Sequence, residues 1–167
     1  MPQRKRIDAV TEAKILSKSI RRCCMCFTLE ADLTEKLGQI AHVDKDRSNA
    51  SEQNLVFLCL KHHSLYDSRT SQHKNYTAKE VKTARSKLYK RLGAEHKIQK
   101  TNFEWEQIRH ELEQVNNSIR GQSDDEELSR FVQSQARLEM LCNRLARIVD
   151  RQCSLEKELD RLSIPAK

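Results

Sequence analysis

Along the first twenty residues, apolar side chains recur at roughly helical intervals. Ile7, Val10, Ile15 and Ile20 mark the apolar side of a short helix predicted for residues 7–20. The pattern then breaks. Residues 27–37 are mixed and read as loop or short helix, while Gly38-Gln39-Ile40-Ala41-His42-Val43 reads as a short strand. From Asp44 to Gln53 the Asp, Asn, Ser and Arg content is that of a loop. Leu55-Val56-Phe57-Leu58 reads as a second strand, and Leu60 to Asp67 as the start of a helix. The order is strand, loop, strand, helix.

Helical spacing returns and then persists. Thr77-Ala78-Lys79-Glu80 is a capping box, followed in phase by Val81, Ala84, Leu88 and Leu92. A second box, Thr101-Asn102-Phe103-Glu104, predicts a fresh helix carrying Trp105, Ile108, Leu112, Val115 and Ile119. Gly121-Gln122-Ser123 is a predicted turn, after which Asp124, Asp125, Glu126 and Glu127 place negative charge in a first helical turn, where the macrodipole favours it. The last helix is the most regular. Leu138, Leu141, Leu145, Ile148, Leu155, Leu159 and Leu162 alternate steps of three and four, with Phe131 in phase and polar Ser134 and Gln152 filling two positions. Such a heptad seam is covered either by residues 102–120 of the same chain, as a helical hairpin, or by a homodimer or partner protein, as a coiled coil.

Composition narrows the class. Apolar residues make up 37% and charged residues 33% of the 167, so the core is modest, and three Gly with two Pro argue for long regular elements. No apolar run approaches the roughly 18–20 residues that span a bilayer. The start, Met1-Pro2-Gln3-Arg4-Lys5-Arg6, leads into a polar segment, so a cytoplasmic protein away from membranes is expected. The net charge of +7 is uneven: residues 1–100 hold 21 Lys/Arg against 11 Asp/Glu, and residues 101–167 hold 10 against 13. The basic part suits a polyanion such as DNA, through phosphate contacts and counterion release; a merely solvated surface is the plainer account.

Six cysteines without a secretion signal are expected to be reduced, and three of them, Cys23, Cys24 and Cys26, fall within four residues. Cys23-x-x-Cys26 and Cys59-x-x-His62 form two ligand pairs whose x₂ spacing aims two donors at one ion; four such donors suit tetrahedral Zn²⁺. Cys24 is an alternative ligand, and His63 an alternative to His62. Between the pairs lie 32 residues, enough for the strand-loop-strand insert.

The string Gly38 to Val43, then Asn54-Leu55-Val56-Phe57-Leu58-Cys59-Leu60-Lys61-His62-His63, then Asp67, resembles the HNH endonuclease motif over roughly residues 20–92. His42 matches its first histidine, Asn54 its asparagine and His63 its last histidine. The cysteine pairs resemble the zinc-stapled branch, with His62 where a fourth cysteine is more usual. The resemblance implies an α+β fold: a ββα-metal (HNH) core with structural zinc in residues 1–96, with an N-terminal helix. Residues 97–167 would follow as a helical or coiled-coil interaction region. It implies that His42 is the general base, that Asn54 holds the catalytic loop or the His42 ring, and that His63 binds the catalytic metal. Asp67, four residues on, shares a helical face with His63 and can share its ion. The expected catalytic ion is Mg²⁺ or Mn²⁺, with Zn²⁺ also admitted by histidine. One departure stands out. Many relatives carry Asp, Glu or His before the first histidine, where this chain has Ala41, so the missing ligand would come from Asp67, Asp44 or Asp46, or the site is weakened.

The expected function is metal-dependent hydrolysis of phosphodiester bonds in DNA. Lys61, Arg69, Lys74, Lys82 and Arg85 are candidate phosphate contacts, and by analogy the setting would be phage defence or a mobile element. The alternative is an inactive, zinc-stabilised nucleic-acid-binding or coiled-coil adaptor module.

Overall fold

The computed structural model describes residues 6–68, 75–120 and 127–162, with side chains described for all of these except 119, 120 and 127–131. Arg69, His73 and Lys74, the turn expected at 121–123, acidic residues 124–126 and the side chains of Ile119 and Phe131 lie outside the described residues. The fold is α+β and mostly helical. The chain forms two compact units, one built on residues up to Gly93 and one on Ala94–Arg161.

The first unit opens with α1, Ala9–Ser19, whose N-cap Asp8 accepts a hydrogen bond from the amide of Thr11 at 2.8 Å. Its inner face differs from the expected one. Ile15 is buried and Leu16 packs beside it, whereas Val10 and Ile20 are exposed. Three- and four-residue steps from Ile15 and Ser19, the two buried positions, set the face, and Val10 falls off it. Ile20 and Arg21 then take left-handed backbone (φ 48° and 51°) and turn the chain into α2, Cys24–Glu30, a short helix that begins at the cysteines and ends within the segment read as loop or short helix.

Strands β1 (Gly38–His42) and β2 (Leu55–Cys59) pair antiparallel, with Gly38 opposite Cys59 and His42 opposite Leu55. Gly38 is required by close approach: a Cβ there would stand 2.1 Å from the Leu58 carbonyl oxygen. All five residues of β2 are buried, because α1 packs Ile15 against Leu55 and Phe57 while Val56 and Leu58 join the core on its other side. Helix α3, Leu60–Asp67, follows β2 directly and packs on both strands. Helix α4, Ala78–Arg120, begins at the predicted capping box: the Thr77 amide donates to Glu80 Oε2 at 2.6 Å, and the Glu80 amide to Thr77 Oγ1 at 3.2 Å. Val81, Ala84, Leu88 and Leu92 bury the stripe read from the sequence.

The second box caps nothing. Thr101 lies inside α4 and donates its hydroxyl to the Lys97 carbonyl at 2.9 Å, four residues back. With no Pro or Gly between Gly93 and Thr101, nothing stops the helix from propagating, and the threonine bonds back along it. In the second unit the seam of α5, Glu127–Leu162, is covered from within the chain. Leu141 and Ile148 pack with Ile108 and Val115 of α4, joined by Leu112, Leu138 and Leu145. Arg151 meets Glu104 at 2.9 Å and Arg144 meets Glu111 at 3.6 Å, so the two segments run antiparallel. Trp105, read in the apolar series with Ile108 and Val115, is 39% exposed.

Candidate metal centre and the cleft beside it

Cys23, Cys26, Cys59 and His62 are all buried, and their donor atoms lie within 4.8 Å of one another. The local reason is the same for both pairs. Cys23 is the N-cap of α2 and Cys59 the N-cap of α3, so each partner three residues on sits in the first helical turn. An N-cap and the third helical residue stand side by side, and first-turn amides favour thiolate there. The His62 amide donates to Cys59 Sγ at 3.4 Å. Gly38, paired with Cys59, lets β1 lie against the end of the ligand-bearing strand.

The spacings fit one tetrahedral ion. Zn–S bonds of about 2.3 Å and Zn–N bonds of about 2.0–2.1 Å imply donor–donor edges of roughly 3.5–3.8 Å. Cys26 Sγ and Cys59 Sγ are 3.7 Å apart, and His62 Nδ1 is 3.5, 3.4 and 3.2 Å from Cys23, Cys26 and Cys59. Burial pushes the thiols of Cys23 and Cys26 up, with the charge of Cys23 adding to the effect at Cys26. Packed thiolates therefore call for a cation to replace their protons. Burial, then the charge of Lys61, pushes His62 down, toward the neutral imidazole that ligates. The cluster can hold a metal such as zinc. Cys24 is also buried, its thiol pushed up to about 12 by desolvation, but it is not in the cluster. A second grouping, Cys26, Glu30 and Asp32, shares Cys26, and Asp32 is already bonded to Thr34 and Lys36.

His62 and His63 are adjacent on α3 and therefore point about 100° apart. His62 enters the cluster; His63 lines a cleft of about 900 Å³ together with His42, Ala41 and Asp67. The cleft thus receives imidazoles from the end of β1 and the first turn of α3. His42 Nε2 is shielded from solvent and has no hydrogen-bond partner among the described residues. His63 Nδ1 is 3.7 Å from Asp67 Oδ2.

Asn54 is buried but sits beside the cleft loop, not among the lining residues. Its Nδ2 donates to Asp44 Oδ1 at 2.7 Å and to the Asn49 carbonyl at 2.8 Å, and its Oδ1 accepts from the Asp44 amide at 3.0 Å. It clasps both ends of the 44–54 loop. Burial works against the Asp44 carboxylate, but the Asp46 amide and the side chains of Asn54 and Asn49 outweigh it and hold its pKa below the usual value. Asp46 is likewise taken up locally, accepting from the Ser48 amide and hydroxyl. Of the carboxylates weighed as replacements at Ala41, Asp67 alone lines the cleft.

Two residues escaped the sequence reading. Glu12, exposed on α1, lines the cleft, and nothing in the apolar pattern marks it. Tyr66 is fully buried on α3, its hydroxyl bonded to the Val43 carbonyl and its ring under the Lys45 ammonium at 4.8 Å. Of the candidate phosphate contacts, Lys82 is exposed, Lys61 is 3.8 Å from Glu30, and Arg85 donates from Nη1 to the Gln53 and Leu55 carbonyls at 2.8 and 2.7 Å. None of these three lines the cleft.

The fold and the cluster together define a small α+β unit with a Cys₃His set that could hold a metal, and long helices after it. No family model, no curated protein and no solved structure matches the chain.

Proposed function

We propose that the chain is a metal-dependent endonuclease that hydrolyses phosphodiester bonds in DNA, with zinc in the Cys₃His set. The observation that carries this reading is the opening of His42 and His63 into one polar cleft, beside Asp67. The resemblance of residues 20–92 to HNH nucleases supplies the reaction class. His63 and Asp67 would hold a divalent ion, whose chemistry when bound would be to polarise the phosphate and stabilise the leaving oxygen. His42 takes the proton from the attacking water, which requires its neutral form at working pH. Asn54 keeps the loop after His42 in place through its three hydrogen bonds. The setting by analogy is phage defence or a mobile element.

The test is cleavage of plasmid DNA by the zinc-loaded protein with added Mg²⁺ or Mn²⁺. Expected are nicked or linear products from the unaltered chain and a loss of at least about 100-fold in His42→Ala, as for removal of a general base. Equal cutting by His42→Ala would remove the base assignment; absence of cutting by the unaltered protein would remove the enzyme.

One observation favours a second reading, a zinc-stabilised nucleic-acid-binding module without catalysis. Ala41 supplies no ligand, and among the described residues no third donor joins His63 and Asp67 within metal-binding distance. DNA retention that is indifferent to His42→Ala and His63→Ala, with no cleavage, distinguishes this module from the enzyme.

A further inference from the structure

The loop after β1 carries two cations into the cleft. Lys45 and Arg47 line it, as does Arg6, which precedes α1. Lys45 and Arg47 are exposed, and none of the three makes an ion pair among the described residues. The loop that bears two of them is held. Lys45 has left-handed backbone (φ 63°), and its amide donates to the His42 carbonyl at 3.1 Å. Asp44 on one side is clasped by Asn54 and Asn49, and Asp46 on the other is bonded to Ser48. The Lys45 ammonium rests over the ring of Tyr66, and that ring is itself fixed by burial and by its hydroxyl. Long cationic side chains usually lose much rotamer entropy on binding; a cation held beforehand loses less. The two carboxylates of the cleft, Glu12 and Asp67, come from helices and not from this loop, so the sign of the lining is divided by element.

We propose that Lys45 and Arg47, with Arg6, form a preset grip for the phosphates of a DNA strand that enters the cleft beside His42 and His63. The grip rests on the reading of this cleft as one that receives a phosphodiester. It moves the electrostatic contact from Lys61, Lys82 and Arg85, where the charge pattern placed it, to the loop after β1. Each cation that neutralises one phosphate on binding releases condensed counterions, so each contributes to the salt dependence of affinity.

The experiment is fluorescence anisotropy of a labelled DNA duplex, and of its single strand, with the full zinc-loaded chain over a range of salt concentrations and no added Mg²⁺ or Mn²⁺. The slope of log K against log salt should fall in magnitude by about 0.9 per contact for duplex and about 0.7 for single strand. Lys45→Gln and Arg47→Gln should each lower it by about that amount, and the double variant by about twice as much. The pair Lys61→Gln and Lys82→Gln should leave the slope unchanged. Zinc content, measured alongside, establishes that each variant is folded. A wild-type slope in the zinc-replete loop variant overturns the grip, as does a larger loss in the Lys61 and Lys82 pair. Cleavage measured in parallel separates the two ideas: slope lost in the loop variant without cutting by the unaltered chain leaves the grip without the enzyme. Cutting with an undisturbed slope in the loop variant leaves the enzyme without the grip.

Discussion

Single residues in the first unit answer to contact distance. A methyl group at Gly38 would collide with the Leu58 carbonyl and with the Phe57 ring, both in β2 and one and two residues from the Cys59 thiol of the cluster. Backbone cannot yield as a flexible side chain does, so Gly38→Ala should cost about 1–3 kcal/mol, read as a lower urea midpoint. The cluster separates neighbours just as sharply. Cys26→Ser or His62→Ala should lose bound zinc and with it the folded first unit, while Cys24→Ala should keep one ion per chain; metal analysis and circular dichroism read both. A zinc-free but fully folded His62→Ala protein would refute the assignment of the ligand set. Asp44 answers to pH. Its folded pKa lies below the usual carboxylate value, so its contribution is present above that usual value and is lost as pH falls through the lowered one. The side-chain amide protons of Asn54, followed by NMR, should therefore keep their shifts from pH 7 to about 5 and change below about 4.

Elements are held by their ends and edges. The start of α4 depends on the reciprocal bonds of Thr77 and Glu80, and Thr77→Ala should cost about 1 kcal/mol in unfolding free energy. Arg85, one of the charges read as a phosphate contact, ties α4 to the carbonyls on both sides of Asn54. That use was invisible in the sequence, because nothing in a basic helix distinguishes an arginine facing carbonyls from one facing solvent. The strands, by contrast, were legible. Gly38–Val43 and Leu55–Leu58 were read nearly to the residue, since their apolar runs are short and bounded by polar loop residues. The capping-box signal failed at Thr101 because the same four residue types occur within a helix that neither Gly nor Pro interrupts.

In the molecule as a whole, three apolar clusters do the holding among the described residues, two in the first unit and one in the second. The second unit rests on Ile108, Val115, Leu141 and Ile148; each fully buried side chain contributes about 1.5–3 kcal/mol, whereas exposed ion pairs such as Arg144 with Glu111 contribute about 0–1. Leu141→Ala should accordingly destabilise that unit by about 2–5 kcal/mol and leave the zinc content of the full chain unchanged. Loss of zinc in that variant would show the two units to be energetically joined. Among the described residues no helix is long and apolar enough to cross a membrane.

The amino-acid pattern by itself determined the order of strand, loop, strand and helix, the two ligand pairs and the apolar seam of the last helix. Each is a matter of local period or spacing, and backbone geometry converts those directly into faces. Tertiary structure decided the remainder: that His63 turns to the cleft, that α4 packs on the seam, that Arg85 serves the backbone, and that Glu12, Lys45 and Arg47 come to line the cleft beside His42. These depend on which distant surfaces meet when the cores close, and no spacing along the chain carries that information.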